Sequence, residues 1–251
     1  MLFRSFTENQ QASKAVQLLN SNFTIISEVL REESGIFDKF NGDTAVGTFG
    51  IPFNEHDDAK RAVSAALKLR SRLKDDLLRK GLKFGYGIST GVVLTGNIGP
   101  DTRPQFTALG SPFVLCQRLT QEAKNYKVDI VIDSSTREEI KEDFHVRELD
   151  MILLKGKEKI LSIFEVIDFK SVELSRDRTT SFICFELGLN EYRLQNWIMA
   201  ISHFRKAVQL TDDEPSKIFI WRCKAILEGQ FEVPKLGWDC TWSDEFQTED
   251  L

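Results

Sequence analysis

Apolar residues recur along this chain with two periods. Ala15, Leu18, Leu19, Ile25, Ile26 and Val29 fall at mainly helical spacing and predict a helix over 8–31. Thr7 is its N-cap and Gln10, three residues on, is half of a capping box. Ala62, Val63, Ala66, Leu67 and Leu73 form a second stripe, predicting a helix over 56–80 that stops at Gly81. Between the two helices, Asn41-Gly42 separates two runs rich in aromatic and β-branched residues. That pattern predicts a hairpin closed by a type I′ turn, because Asn and Gly tolerate positive φ. Residues 1–7 read as the end of a strand. Alternation predicts a strand pair over 82–97 joined by Ser89-Thr90, and a short strand over 105–109. Ser111-Pro112 opens a helix that runs to about Asn125, since proline suits a first helical turn. Residues 128–132 form a strand, Asp133 caps a short helix, and 145–168 return to strands interrupted at 155–159. Strands alternating with helices give an α/β domain over residues 1–168.

The pattern changes after Asp168. Gly188, Ala200, Phe204 and Ala207 recur with the small/small/Phe/small order of a tetratricopeptide-like helical hairpin over 177–230, with a third helix at 216–228. One such unit is too small to stand alone, so it is expected to dock on the α/β domain or on a partner. Residues 231–251 are first aromatic and then acidic, and the acidic end reads as disordered.

Composition narrows the chemistry. A net charge of −5 argues against nucleic acid as the main partner. Cys116, Cys184, Cys223 and Cys240 form no CxxC pair and read as reduced thiols of a cytoplasmic protein. His56, His145 and His203 lie too far apart in sequence to suggest a zinc site. No apolar run is long enough to span a membrane, and the first residues lack the apolar core of a signal peptide. No P-loop is present. Gly85, Gly87 and Gly91 do not fit a dinucleotide-binding fingerprint, and they read instead as strand glycines that permit close packing.

The ordered blocks Phe6-Thr7, Lys39-Phe-Asn-Gly-Asp43, Phe49-Gly-Ile-Pro52, Asp57-Asp-Ala59, Gly87-Ile-Ser-Thr-Gly91, Gly96-Asn-Ile-Gly99, Phe106-Thr-Ala-Leu-Gly110, Arg118-Leu119 and Leu154-Lys-Gly-Lys157 carry a likeness. Through them, nearly all of residues 1–168 resembles the class III adenylate/guanylate cyclase catalytic domain. The resemblance implies an α+β, ferredoxin-like βαββαβ domain, here with a small all-α extension. It implies attack of a nucleoside triphosphate's 3′-hydroxyl on its own phosphate chain, with two divalent cations (Mg²⁺ or Mn²⁺) held by two aspartates. It implies a homodimer or a heterodimer with another cyclase domain, with sites shared across the interface. Asp43 matches one metal aspartate, and Lys39 and Thr107 match the purine-selecting pair. Arg118 matches the arginine that stabilises charge on the transferring phosphate, and Lys155, or Lys157, matches the lysine on the distal phosphates. Thr7 falls in the block that marks the nucleotide site. A lysine donates to adenine N1, whereas guanine presents N1–H there, so Lys39 favours ATP.

Two positions depart from that pattern. Leu2 falls where the first metal aspartate belongs, and most of the preceding strand is absent, so a piece of a longer protein is expected. Val114 replaces the asparagine that orients the ribose. Three readings follow: a cyclase making cyclic AMP, a non-catalytic half paired with a competent one, or a scaffold acting through its helical segment.

Overall fold

The structure, a computed structural model, describes residues 12–79, 84–98, 100, 102, 105–153, 160–231, 233 and 238–242. The strand expected over 1–7, the Thr7 cap, the stop at Gly81 and the acidic end at 243–251 lie outside the described residues.

A four-stranded sheet forms the centre. Its order is β3 (Tyr86–Ile88), β6 (Ile130–Asp133), β8 (Ile160–Phe169) and β7 (Phe144–Leu153). β3 runs parallel to β6, and the other pairs are antiparallel. β6 is buried along its whole length, which is why it reads as an unbroken apolar run rather than an alternation. Its residues divide between the two faces. Ile130 and Ile132 pack with Phe144, Phe164 and Val166 beneath α2 (Asp58–Arg79). Val131 packs with Leu149, Ile152 and Ile163 on the opposite side. α2 also buries Ala65, Leu69 and Leu73 against Leu18, Ile26, Val29 and Leu30 of α1 (Ala12–Glu32), so its apolar stripe serves two clusters.

Two hairpins stand apart from this sheet. β1 (Ile36–Asn41) pairs with β2 (Thr44–Thr48), as the Asn41-Gly42 signal predicts. Asn41 itself pairs with Thr44, leaving Gly42-Asp43 as the loop, and Gly42 has φ +62° while Asn41 is not in the positive region. Positive φ at the first loop residue alone is the pattern of a type II′ turn, not I′. β4 (Leu94–Ile98) pairs with β5 (Gln105–Leu109), not with β3. The expected strand pair over 82–97 is therefore two strands in different sheets. The reason lies in Ser89-Thr90, which is bound rather than turning. Ser89 donates to Asp133 Oδ2 at 2.8 Å, and Thr90 Oγ1 lies 2.9 Å from Thr136 Oγ1. Asp133 Oδ1 also caps α4 (Ser134–Ile140) through the Thr136 amide at 2.8 Å.

α3 (Ser111–Asn125) lies on β3 and β6. A Cβ on Gly87 would sit 2.1 Å from the Cys116 carbonyl oxygen and 2.5 Å from the Thr120 nitrogen, so backbone meets backbone there. Gly87→Ala is expected to lower stability by about 1–3 kcal/mol, read from the urea midpoint. Gly96→Ala, where nothing lies within 4 Å of the added carbon, is the control and should stay within about 0.5 kcal/mol.

The helical segment comprises α5 (Arg176–Arg193), α6 (Trp197–Thr211) and α7 (Glu214–Leu227). α5 and α6 approach closely where the Phe204 ring fills the space that a Gly188 side chain would take. The segment docks on the α/β domain, one of the two expected placements. Phe185, Leu189, Tyr192, Phe204, Phe219 and Cys223 share a single core cluster with Leu119, Tyr126, Leu149 and Ile152. A buried polar clamp crosses the same contact. Arg222 donates to Asp150 Oδ2 at 2.6 Å and to the Tyr126 hydroxyl at 2.9 Å, and that hydroxyl donates to Asp150. Burial raises the Tyr126 phenol well above its ordinary range, which keeps it a donor. A second bridge runs from Arg147 of β7 to Glu165 of β8 at 2.6 Å and to Asp213 ahead of α7 at 2.8 Å. Trp238 lies against Tyr192 and Trp197, and Trp242 against Trp221 and Phe231.

Candidate functional site

Two of the residues singled out in the sequence meet in space. Lys39 leaves β1 and Thr107 lies on β5, yet Lys39 Nζ donates to Thr107 Oγ1 at 3.4 Å. They are separated by 68 positions in the chain, so only the fold can join them. Phe113, in the first turn of α3, adds an aromatic face 5.8 Å from the same ammonium. These three side chains bring together a donor, a hydroxyl and a ring, a combination suited to a flat heterocycle.

Two companions of Lys39 escaped the sequence reading. One is Phe113. The other is Asp38, whose carboxylate lies 3.3 Å from Lys39 Nζ. Asp38-Lys39 places charges at consecutive strand positions, and that break in alternation was the available signal.

Asp43 occupies the tip of the β1–β2 hairpin and is exposed. Arg118 lies on α3, half-buried, with its Nε 2.8 Å from Glu122 Oε1 one turn on. A phosphate ligand would have to compete with that buried carboxylate for the guanidinium. Cys116, between Phe113 and Arg118 on the helix, is held as a thiol because burial pushes its pKa up. Val114 is 73 % exposed on the same helix. Thr7, Leu2, Lys155 and Lys157 lie outside the described residues.

A two-cation site needs two hard carboxylates. The two positions matched by the resemblance hold Asp43 and Leu2, and a leucine cannot ligate a metal. Among the described residues, the carboxylate group close enough to share an ion is Glu55, Asp57 and Asp58, which does not include Asp43. Arg61 already occupies its centre, with Glu55 at 2.7 Å, Asp57 at 2.9 Å and Asp58 also paired.

The side of the β4–β5 hairpin that carries Thr107 is otherwise largely apolar. In the β4–β5 register, Leu94 opposes Leu109 and Gly96 opposes Thr107, so Thr107 shares its side of the hairpin with Leu94, Ile98 and Leu109. All three apolar residues are exposed, Leu94 to 71 %. Exposed apolar residues gathered on one face are a pattern that interaction surfaces share.

A family model of the adenylate and guanylate cyclase catalytic domain matches residues 1–165. A terminal-differentiation-specific adenylate cyclase of Dictyostelium discoideum is 29% identical over 231 residues, covering 88% of this chain and 11% of that protein. This match therefore runs past residue 165 into the helical segment. The chain spans between about a tenth and a quarter of the length of the first curated relatives it matches. Among solved structures, the adenylyl cyclase CyaB of P. aeruginosa aligns with a TM-score of 0.60 at 29% identity, over 66% of this chain and 88% of that one. The guanylyl cyclase Cya2 aligns with a TM-score of 0.59 at 28% identity, over 69% of this chain and 90% of that one.

Proposed function

The chain belongs to the adenylate and guanylate cyclase catalytic-domain family, and within it we propose that this domain serves the conversion of ATP to 3′,5′-cyclic AMP and pyrophosphate. In that reaction the 3′-hydroxyl loses its proton and bonds to the α-phosphorus as the bond to pyrophosphate breaks. One observation carries the choice of ATP: Lys39 and Thr107 are brought within 3.4 Å of one another from distant strands. An ammonium donates to the unprotonated N1 of adenine and opposes the N1–H of guanine, so the pair favours ATP over GTP. Arg118, released from Glu122, would neutralise charge on the transferring phosphate. Asp43 would contribute one carboxylate to Mg²⁺ or Mn²⁺, and Lys155 and Thr7 would hold the nucleotide. The exposed face around Leu94, Ile98 and Leu109 supports a dimer with a second cyclase domain, as a homodimer or a heterodimer.

A second reading has its own support. Leu2 and Val114 remove a metal ligand and a ribose-orienting amide, so this chain acts as the base-recognising half of a site completed by a competent partner. The two readings share one assay. Purified chain is given ATP with Mn²⁺ or Mg²⁺, alone and mixed with an active cyclase domain, and cyclic AMP is measured. Product from the chain alone supports the first reading, and product gained only on mixing, above that of the active domain by itself, supports the second. Absence of both would sink the proposal. In whichever arm is active, Lys39→Glu should cut the use of ATP by roughly 10–100-fold, because it places an acceptor against an acceptor, and should raise the use of GTP.

A further inference from the structure

Neighbouring residues of a strand point to opposite faces, so Asp38 and Lys39 should diverge. They do not, because the β1–β2 register slips between Phe37 and Lys39 and leaves Asp38 as the extra residue of a bulge. The bulge turns the Asp38 carboxylate toward its neighbour, with Oδ2 3.3 Å from Lys39 Nζ. The Asp38 side chain is only 12 % exposed, and no donor among the described residues makes a hydrogen bond to Oδ2. A sheltered carboxylate needs a counter-charge, and the Lys39 ammonium supplies it.

We propose that Asp38 is a positioning residue that sets purine specificity through Lys39, an inference that rests on the reading of Lys39 as the base selector. A lysine ammonium has three N–H donors. One reaches Thr107 Oγ1, and the Asp38 carboxylate draws the ammonium from a second side by charge, 3.3 Å away. An N–H is left for a ligand, and the Thr107 bond and the Asp38 charge together restrict its direction. Asp38 is too sheltered to meet the base itself. Its work is to hold a donor-only group in one orientation, aligned on an acceptor such as adenine N1 and misaligned on any purine with a proton there. An ordinary exposed ion pair would carry no such consequence.

The test uses the full chain and Asp38→Asn, which keeps the shape and removes the charge. Dissociation constants for ATP and for GTP are measured with Mg²⁺ present. The expected result is a roughly 10-fold loss of ATP affinity, the size of one hydrogen bond to a charged group, and a matching loss of ATP-over-GTP preference, with thermal stability nearly unchanged. Asp38→Glu should recover part of the preference. An unchanged preference in Asp38→Asn overturns the proposal. Wild-type protein that does not distinguish the nucleotides would instead refute Lys39 as the base selector. Asp38 is then judged on Lys39 alone by NMR. The two Lys39 Hε protons should be inequivalent in wild type and averaged in Asp38→Asn, and an identical pattern in both proteins overturns the proposal.

Discussion

Arg222→Ala will lower the stability of the fold by about 3–5 kcal/mol, the range for removing one partner of a buried ion pair. Arg222 is 8 % exposed and joins groups on two other elements: Asp150 in β7 and Tyr126 at the end of α3. Its guanidinium also lies over the Phe219 ring at 4.9 Å and the Trp242 ring at 5.2 Å. Alanine would leave the Asp150 carboxylate in a space closed to water, with the Tyr126 hydroxyl and the Met151 amide, both on its own side of the contact, as partners. It would also leave a cavity among the aromatics. The double variant Arg222→Met with Asp150→Leu should recover most of the loss, since apolar residues of similar volume often replace a buried pair without penalty. Denaturant midpoints of the single and double variants measure both expectations. A double variant no more stable than Arg222→Ala would show that the stability comes from the rings around the pair and not from the charges.

Ending the chain at residue 173 will leave a protein that does not fold cooperatively or stay in solution. Leu119, Tyr126, Leu149 and Ile152 are each less than a tenth exposed, and all pack in the cluster that includes Phe185, Tyr192, Phe204 and Phe219. Removing the three helices would strip that face of the α/β domain and create an apolar patch larger than a soluble monomer tolerates. Arg147 would lose Asp213, and Glu148 would lose Arg193 at 2.7 Å. Near-ultraviolet circular dichroism and the soluble fraction of the truncated chain, set against the full chain, are the measurements. A sharp, native-like transition in the truncated protein would show that the helices are dispensable for folding.

These two expectations concern contacts that sequence reading could not reach, for a physical reason. Helical stripes, the Asn41-Gly42 hairpin and the Asp133 cap are local, because their periods and turn residues act over a few positions. Whether β4 joins β3 or β5 is decided by what Ser89 and Thr90 bind 44 and 46 positions later. Arg222 reaches Asp150 across 72 positions and Tyr126 across 96. On its own helix it is one charged residue among apolar neighbours, and nothing local distinguishes it from a solvated arginine. The candidate site divides in the same way. Lys39, Thr107, Asp43 and Arg118 were legible through ordered blocks of sequence. Asp38 was not, because a bulge, which pairing alone reveals, brings it to the same side as Lys39.

The clamp has a mechanical consequence. α3 is held at its C-terminal end, where Tyr126 meets Arg222, while Phe113 stands in its first turn beside Lys39. A fifteen-residue helix is about 22 Å long, and its middle is seated on β3, where the Cys116 carbonyl and the Thr120 nitrogen leave no room beside Gly87. By the same geometry, a tilt of a few degrees about that seat would move either end by on the order of 1 Å. The contact with the helical segment and the Lys39 cluster therefore lie at opposite ends of one rigid element.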